Sequence, residues 1–141
     1  MAIAINWLAV LVCVVFAMAL GALWYGPLFG KQWMQMMGFT MESMDAAKKK
    51  GMAKSYIFMA IGALVMVFVL DHNLTFGSAY LHITGVSAGL QAGFWNWLGF
   101  VAPTTVGMVL WEGKPWKLWC IVAGYYLVSL LVMGVILAVW M

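Results

Sequence analysis

Three stretches of this chain carry no full charge at neutral pH: residues 1–30, His72 to Trp111, and Leu118 to Met141. Runs of that length constrain the fold more than any motif, because a helix crossing about 30 Å of hydrocarbon needs roughly 20 apolar residues at 1.5 Å each. Composition agrees: 67% of the residues are apolar and 8% charged, against about 45 to 50% and about 25% in soluble domains. Four acids and seven lysines cannot cover a water-facing surface. These numbers exclude a soluble enzyme, a nucleic-acid reader and a disulfide-stapled module, since Cys13 and Cys120 both lie inside apolar runs.

Continuous apolar runs, without the alternation of a membrane barrel, predict an all-α integral membrane four-helix bundle in one domain. The expected spans are 5–26, 53–71, 85–110 and 118–140. The first ends where Pro27 removes an amide donor. It has no basic leader, so it reads as a retained span. The second is short unless Lys54 snorkels. The 40 residues from His72 to Trp111 would make a helix of about 60 Å, so part must be loop. Asn73 to Thr84, with its Asn, Thr, Gly, Ser and His, is expected to be an outer connection.

All seven lysines fall in two places: Lys31, Lys48, Lys49, Lys50 and Lys54, then Lys114 and Lys117. Four spans put both loops on one side, and the positive-inside bias makes that side the cytoplasm, with both termini outside a bacterial inner membrane. Trp7 and Trp140 are expected at the outer interface, and Trp24, Trp33, Trp111, Trp116 and Trp119 at the inner one. Trp95 and Trp97 do not fit that belt. The methionine-rich first cytoplasmic loop, Leu28 to Ala53, predicts a short interfacial helix; a flexible partner-binding surface is the sharper alternative. Thr40 caps a helix reaching Lys50, with Glu42 and Asp45 early and the lysines late, as the helix dipole favours.

Two segments resemble a known family: LGALWYGPLFGKQWM at 20–34 and LGFVAPTTVGMVLWEGKPWKLWCIVAGYYLVSLLVMGVILAVW at 98–140. Their Trp-Tyr-x-Pro turn and Gly-Phe-x-Ala-Pro-Thr segment are similar to those of a bacterial family of small four-span membrane proteins, the domain of unknown function numbered seventeen-sixty-one. The resemblance implies the architecture and no catalytic residue.

At 100° per residue, Gly85, Gly89, Gly93, Asn96, Phe100, Pro103 and Gly107 share one stripe of the third span. Glycines four apart let a second backbone approach closely, and a mid-membrane amide needs a partner. The stripe serves packing inside the bundle, or a seam with a second copy or partner subunit, or a substrate lining. Ala17/Gly21 and Gly134/Ala138 are the candidate facing surfaces. Pro103 frees the Gly99 carbonyl, with Thr104 and Thr105 nearby, and a kink is expected. Tyr125 and Tyr126 need acceptors, for which Asn96 or the freed carbonyl are candidates.

Asp71, His72 and His82 are weak metal candidates, because one carboxylate and two spaced imidazoles match no ligand pattern. The tight turn from Trp111 to Lys117 is explained by its Gly and Pro. With no HExxH, phosphate loop, nucleophile elbow or CxxC, no enzyme and no cofactor is expected. The leading functional expectation is a structural or accessory subunit acting by helix association, as a homo-oligomer or in a larger membrane complex. The alternative is a transporter or channel for small solutes or ions at an oligomer seam. The partners expected are the lipid bilayer and other membrane chains, with no nucleic acid.

Overall fold

The computed structural model describes residues 4–141, and the described residues contain helices and no strand. Helix α1 (Trp7–Leu23) is capped by Asn6, whose Oδ1 accepts from the amides of Leu8 and Ala9 at 3.2 Å each. Pro27 does not stop the helix at Gly26, as expected from sequence. The chain instead widens into a π turn (Trp24–Leu28), with the Phe29 amide donating to the Trp24 carbonyl at 2.9 Å. Longer-reach pairing of this kind keeps backbone groups satisfied around a residue without an N–H.

The first loop holds two short helices rather than one: α2 (Gly30–Met37), ended by left-handed Gly38 at φ 76°, and α3 (Met41–Lys50), ended by Gly51 at φ 86°. Thr40 caps α3 as expected, in a reciprocal box with Ser43. No α3 residue is buried, so the lysine run stands clear of the bundle.

Helix α4 (Ala53–Leu81) is unbroken for 29 residues, so the helix expected over 53–71 runs on, and the expectation that Asn73 to Thr84 is a loop is overturned. The polar side chains that resembled loop residues are held within the helix. His72 Nδ1 lies 2.8 Å from the Phe68 carbonyl and Asn73 bonds to a neighbouring helix. The true turn is the three residues His82 to Thr84, opened by left-handed His82 (φ 56°) and followed by Gly85 (φ 63°) at the start of the next helix. At 1.5 Å per residue α4 is about 44 Å long, more than the hydrocarbon thickness.

The expected third span is helical but broken. Helix α5 (Gly85–Asn96) passes through a second π segment (Trp97–Val101) into the short helices α6 (Ala102–Thr105) and α7 (Gly107–Leu110). The kink expected at Pro103 therefore starts six residues earlier. Around the proline, the Thr104 hydroxyl donates to the Phe100 and Val101 carbonyls and Thr105 Oγ1 to Val101 at 2.7 Å. Helix α8 (Trp116–Val139) closes the chain. Among the described residues three helical stretches are long and apolar enough to cross a membrane, Trp7–Leu28, Ala53–Leu81 and Trp116–Val139. The broken segment 85–110 packs beside them.

Helix α8 is the hub of the fold. It runs antiparallel to α1: Asn6 Nδ2 donates to the Trp140 carbonyl (3.1 Å), Tyr125 to Ala17 (2.9 Å), and Trp24 Nε1 to Ile121 (2.9 Å). It also runs antiparallel to α5, with Gly89 against Gly134, Gly93 against Leu130, and Trp97 Nε1 donating to the Ala123 carbonyl at 2.8 Å. The Asn6 and Trp140 ends thus lie together, and the lysine-bearing connections beyond α1 and before α8 share the opposite end. The core is built from Ala9, Val10, Cys13 and Ala17 of α1, Ala63, Val67, Leu70 and Leu74 of α4, Ala88 of α5, and Leu130, Met133, Leu137 and Ala138 of α8. Six of these thirteen residues are Ala or Cys; where lipid replaces water outside, close backbone approach and dispersion replace the hydrophobic drive.

Candidate functional site: a polar cleft between α4 and α5

The α4–α5 hairpin leaves a cleft of about 320 Å³, whose polar lining is Asn73, Ser78, Gln91 and Asn96, with Trp95 and Phe100 at the aromatic side and Gly77 on its α4 wall. Asn73, Gly77 and Leu81 recur every fourth residue and so face the same way. Asn73 Nδ2 donates to Asn96 Oδ1 at 2.7 Å, and Asn96 Nδ2 to the Ala92 carbonyl at 2.8 Å. Gln91 Nε2 donates to Ser87 Oγ at 3.2 Å, which leaves its carbonyl oxygen free of that bond. The Ser78 hydroxyl is buried without a hydrogen-bond partner among the described residues. No charged side chain lines the cleft. Its polar side chains are neutral donors and acceptors, set beside two aromatic rings and the apolar Leu74, Leu81, Ile83, Ala88 and Ala92.

The π segment explains why the glycine stripe does not hold. One extra residue per turn rotates the downstream helix by roughly 100°, so only the first part of the stripe stays on one face. Gly89 and Gly93 press on the α8 backbone, and Asn96 turns to Asn73 across the cleft. Gly85 begins α5 in the left-handed conformation, Phe100 is 71% exposed, Pro103 is exposed in α6, and Gly107 stands against Trp111. Of the two expected facing pairs, Gly134 and Ala138 belong to the α5–α8 side and the core, but Ala17 and Gly21 meet Tyr125 of α8. The acceptor of Tyr125 is the Ala17 carbonyl, neither Asn96 nor a carbonyl near Pro103.

The three weak metal candidates are not brought together. Asp71 is buried between helices, His72 bonds to its own helix at Phe68, and His82 is exposed in the turn; among the described residues no three His, Cys, Asp or Glu side chains cluster. Asp71 was expected at the end of the second span. It lies instead ten residues before the end of α4. The tryptophans divide. Trp7, Trp111, Trp116 and Trp140 are exposed, whereas Trp24 and Trp119 turn their N–H groups inward, to Ile121 and to Thr105 Oγ1, and Trp33 packs on Tyr25 and Phe39. Trp97, out of place in an interfacial belt, is a helix clamp. Sequence reading missed Asn73, Ser78 and Gln91, though the helical spacing of Asn73, Gly77 and Leu81 was available to find the wall they share.

Apolar helices packed through small residues around one polar cleft define an all-α membrane protein. Within that class, the family model described as protein of unknown function (DUF1761) matches residues 8–138, and the chain belongs to that family. No curated protein and no solved structure matches it.

Proposed function

We propose that this protein admits a small neutral polar solute into the α4–α5 cleft from within the bilayer, as a carrier or channel of the cytoplasmic membrane with both termini outside. The observation that carries the reading is the set of unspent hydrogen-bonding groups in the cleft: the unpartnered Ser78 hydroxyl and the free amide valences of Asn73 and Gln91. Polar side chains inside a span are expensive and mark solute pathways. The π segment beside Asn96 supports the same reading, because such bulges gather at functional sites. The close-packed glycines that motivated an association role are filled by α8 of the same chain, so assembly into an oligomer or larger complex would draw on another surface.

The test uses proteoliposomes challenged with an osmotic step of glycerol or urea, followed by light scattering. Gly77 lines the cleft and a Cβ there meets nothing within 4 Å, so Gly77→Trp starts a bulky side chain into the cleft without a clash at its root. Faster solute entry than in empty vesicles, abolished in Gly77→Trp, supports the reading. Equal rates with and without protein for every solute would sink it.

A further inference from the structure

At the other side of α4 the structure holds a second cavity, about 280 Å³, lined by Asn6, Ala9, Asp71, Leu137, Trp140 and their neighbours. Asp71 is 6% exposed, and its Oδ2 has no hydrogen-bond partner among the described residues. The nearest donors are mostly engaged: the Leu8 and Ala9 amides go to Asn6 Oδ1, and one N–H of Asn6 Nδ2 goes to the Trp140 carbonyl, which leaves that amide a second N–H. Of the neighbouring ionisable groups, Cys13 on α1 donates to the Met133 carbonyl at 3.7 Å, and His72 places Nδ1 at the Phe68 carbonyl. Helix α8 brings no ionisable side chain to this cavity. No lysine is near. Lys54 is 17 residues down the same helix, about 25 Å, Lys31 and Lys114 lie beyond the opposite ends of α1 and α8, and Lys117 is in the first turn of α8 at that same opposite end.

A carboxylate buried without a counter-charge is costly. Two helix ends meet at this cavity and offset one another: α1 begins there with the positive end of its dipole and α8 ends there with its terminal carbonyls at the negative end, so neither acts as a full counter-charge. The Trp140 carbonyl spends one lone pair on Asn6 and keeps another. Carboxylate and carbonyl oxygens at a helix C-terminus within a membrane are the donor set that suits a small hard cation.

We propose that Asp71 and the Trp140 carbonyl hold a sodium ion in this cavity, at the end of the bundle remote from the lysines. The site is separate from the solute cleft and stands whether or not a solute enters there.

The test is thermal unfolding of the full chain in detergent micelles, in sodium chloride and in choline chloride at equal ionic strength and fixed pH. A ligand that binds only the folded state raises the midpoint with concentration. The expected result is a saturable, sodium-specific rise of several degrees in the wild type and none in Asp71→Asn, which keeps the shape and removes the charge. An identical midpoint in both salts, or an Asp71→Asn variant that keeps the sodium shift, overturns the proposal. So does a midpoint that follows pH and ignores sodium, because the carboxylate then takes a proton instead. Should Asp71→Asn not fold, sodium-23 linewidths with wild-type protein decide: broadening beyond empty micelles, reversed by excess lithium, supports the site, and its absence overturns it.

Discussion

Gly89 of α5 and Gly134 of α8 meet backbone to backbone: a Cβ placed on Gly89 would run into the carbonyl of Gly134 and the backbone of Val135, and one on Gly134 into the Gly89 carbonyl. Gly93 repeats the contact one turn on, against Leu130. The α5–α8 pair therefore has no slack that a side-chain rotamer could supply. Gly89→Leu is expected to destabilise the fold by about 3 kcal/mol, at the upper end of overpacking costs, read as a lowered unfolding midpoint in micelles. Gly62→Ala is the control. It has nothing within 4 Å, and replacing a helix-interior glycine by alanine should gain about 0.5 to 1 kcal/mol. A Gly89→Leu variant as stable as that control would contradict the contact.

Hydrogen bonds between the helices are expected to matter less than the glycines. Tyr125→Phe removes the donor to the Ala17 carbonyl, a bond of 2.9 Å in the buried α1–α8 contact. Interhelical hydrogen bonds in membranes average about 0.6 kcal/mol, with a maximum near about 1.7. The variant should lose that little and keep its helicity by circular dichroism. A loss as large as that of Gly89→Leu would mean that polar bonds, rather than close packing, hold this bundle.

Ser78→Ala separates stability from binding. The hydroxyl is buried and unpartnered, and such a group costs about 1 to 3 kcal/mol, so deleting it should leave the midpoint unchanged or raise it. If the cleft binds solute through that hydroxyl, the same variant slows solute entry in the osmotic assay. A variant both more stable and fully active would remove Ser78 from the site and leave Asn73, Gln91 and Asn96 to carry it.

The features legible in the chain are those whose physics acts locally. Absence of charge and the two lysine clusters needed only composition along the chain, and α1 and α8 and the Thr40 cap lie where that reading puts them. The segment Asn73 to Leu81 was misread because Asn, Thr, Gly and Ser mark turns in water, whereas in a membrane helix they also mark a face turned to other helices. Nothing local distinguishes the two; the partner that does, Asn96, is 23 residues away. The glycine stripe failed for a related reason. Projecting positions 85 to 107 at 100° per residue assumes one unbroken helix, and the π segment at Trp97–Val101 breaks the phase between Asn96 and Phe100. The cleft between α4 and α5 depends on both features, so it could not be assembled from either pattern alone.

The topology can be tested from one structural fact and one charge rule. Thr84 lies in the turn after α4, and Glu112 in the turn before α8 beside Lys114 and Lys117. Both side chains are exposed. If segment 85–110 crosses the bilayer despite its breaks, these two turns lie on opposite sides, and the positive-inside bias puts Glu112 in the cytoplasm. In a background with Cys13→Ala and Cys120→Ala, Thr84→Cys should react with a membrane-impermeant maleimide added to intact bacterial cells. Glu112→Cys should react only after the membrane is opened. Labelling of both from outside would mean that the broken segment re-enters on the side it left, which would place the two lysine clusters on different sides and remove the charge argument for four crossings.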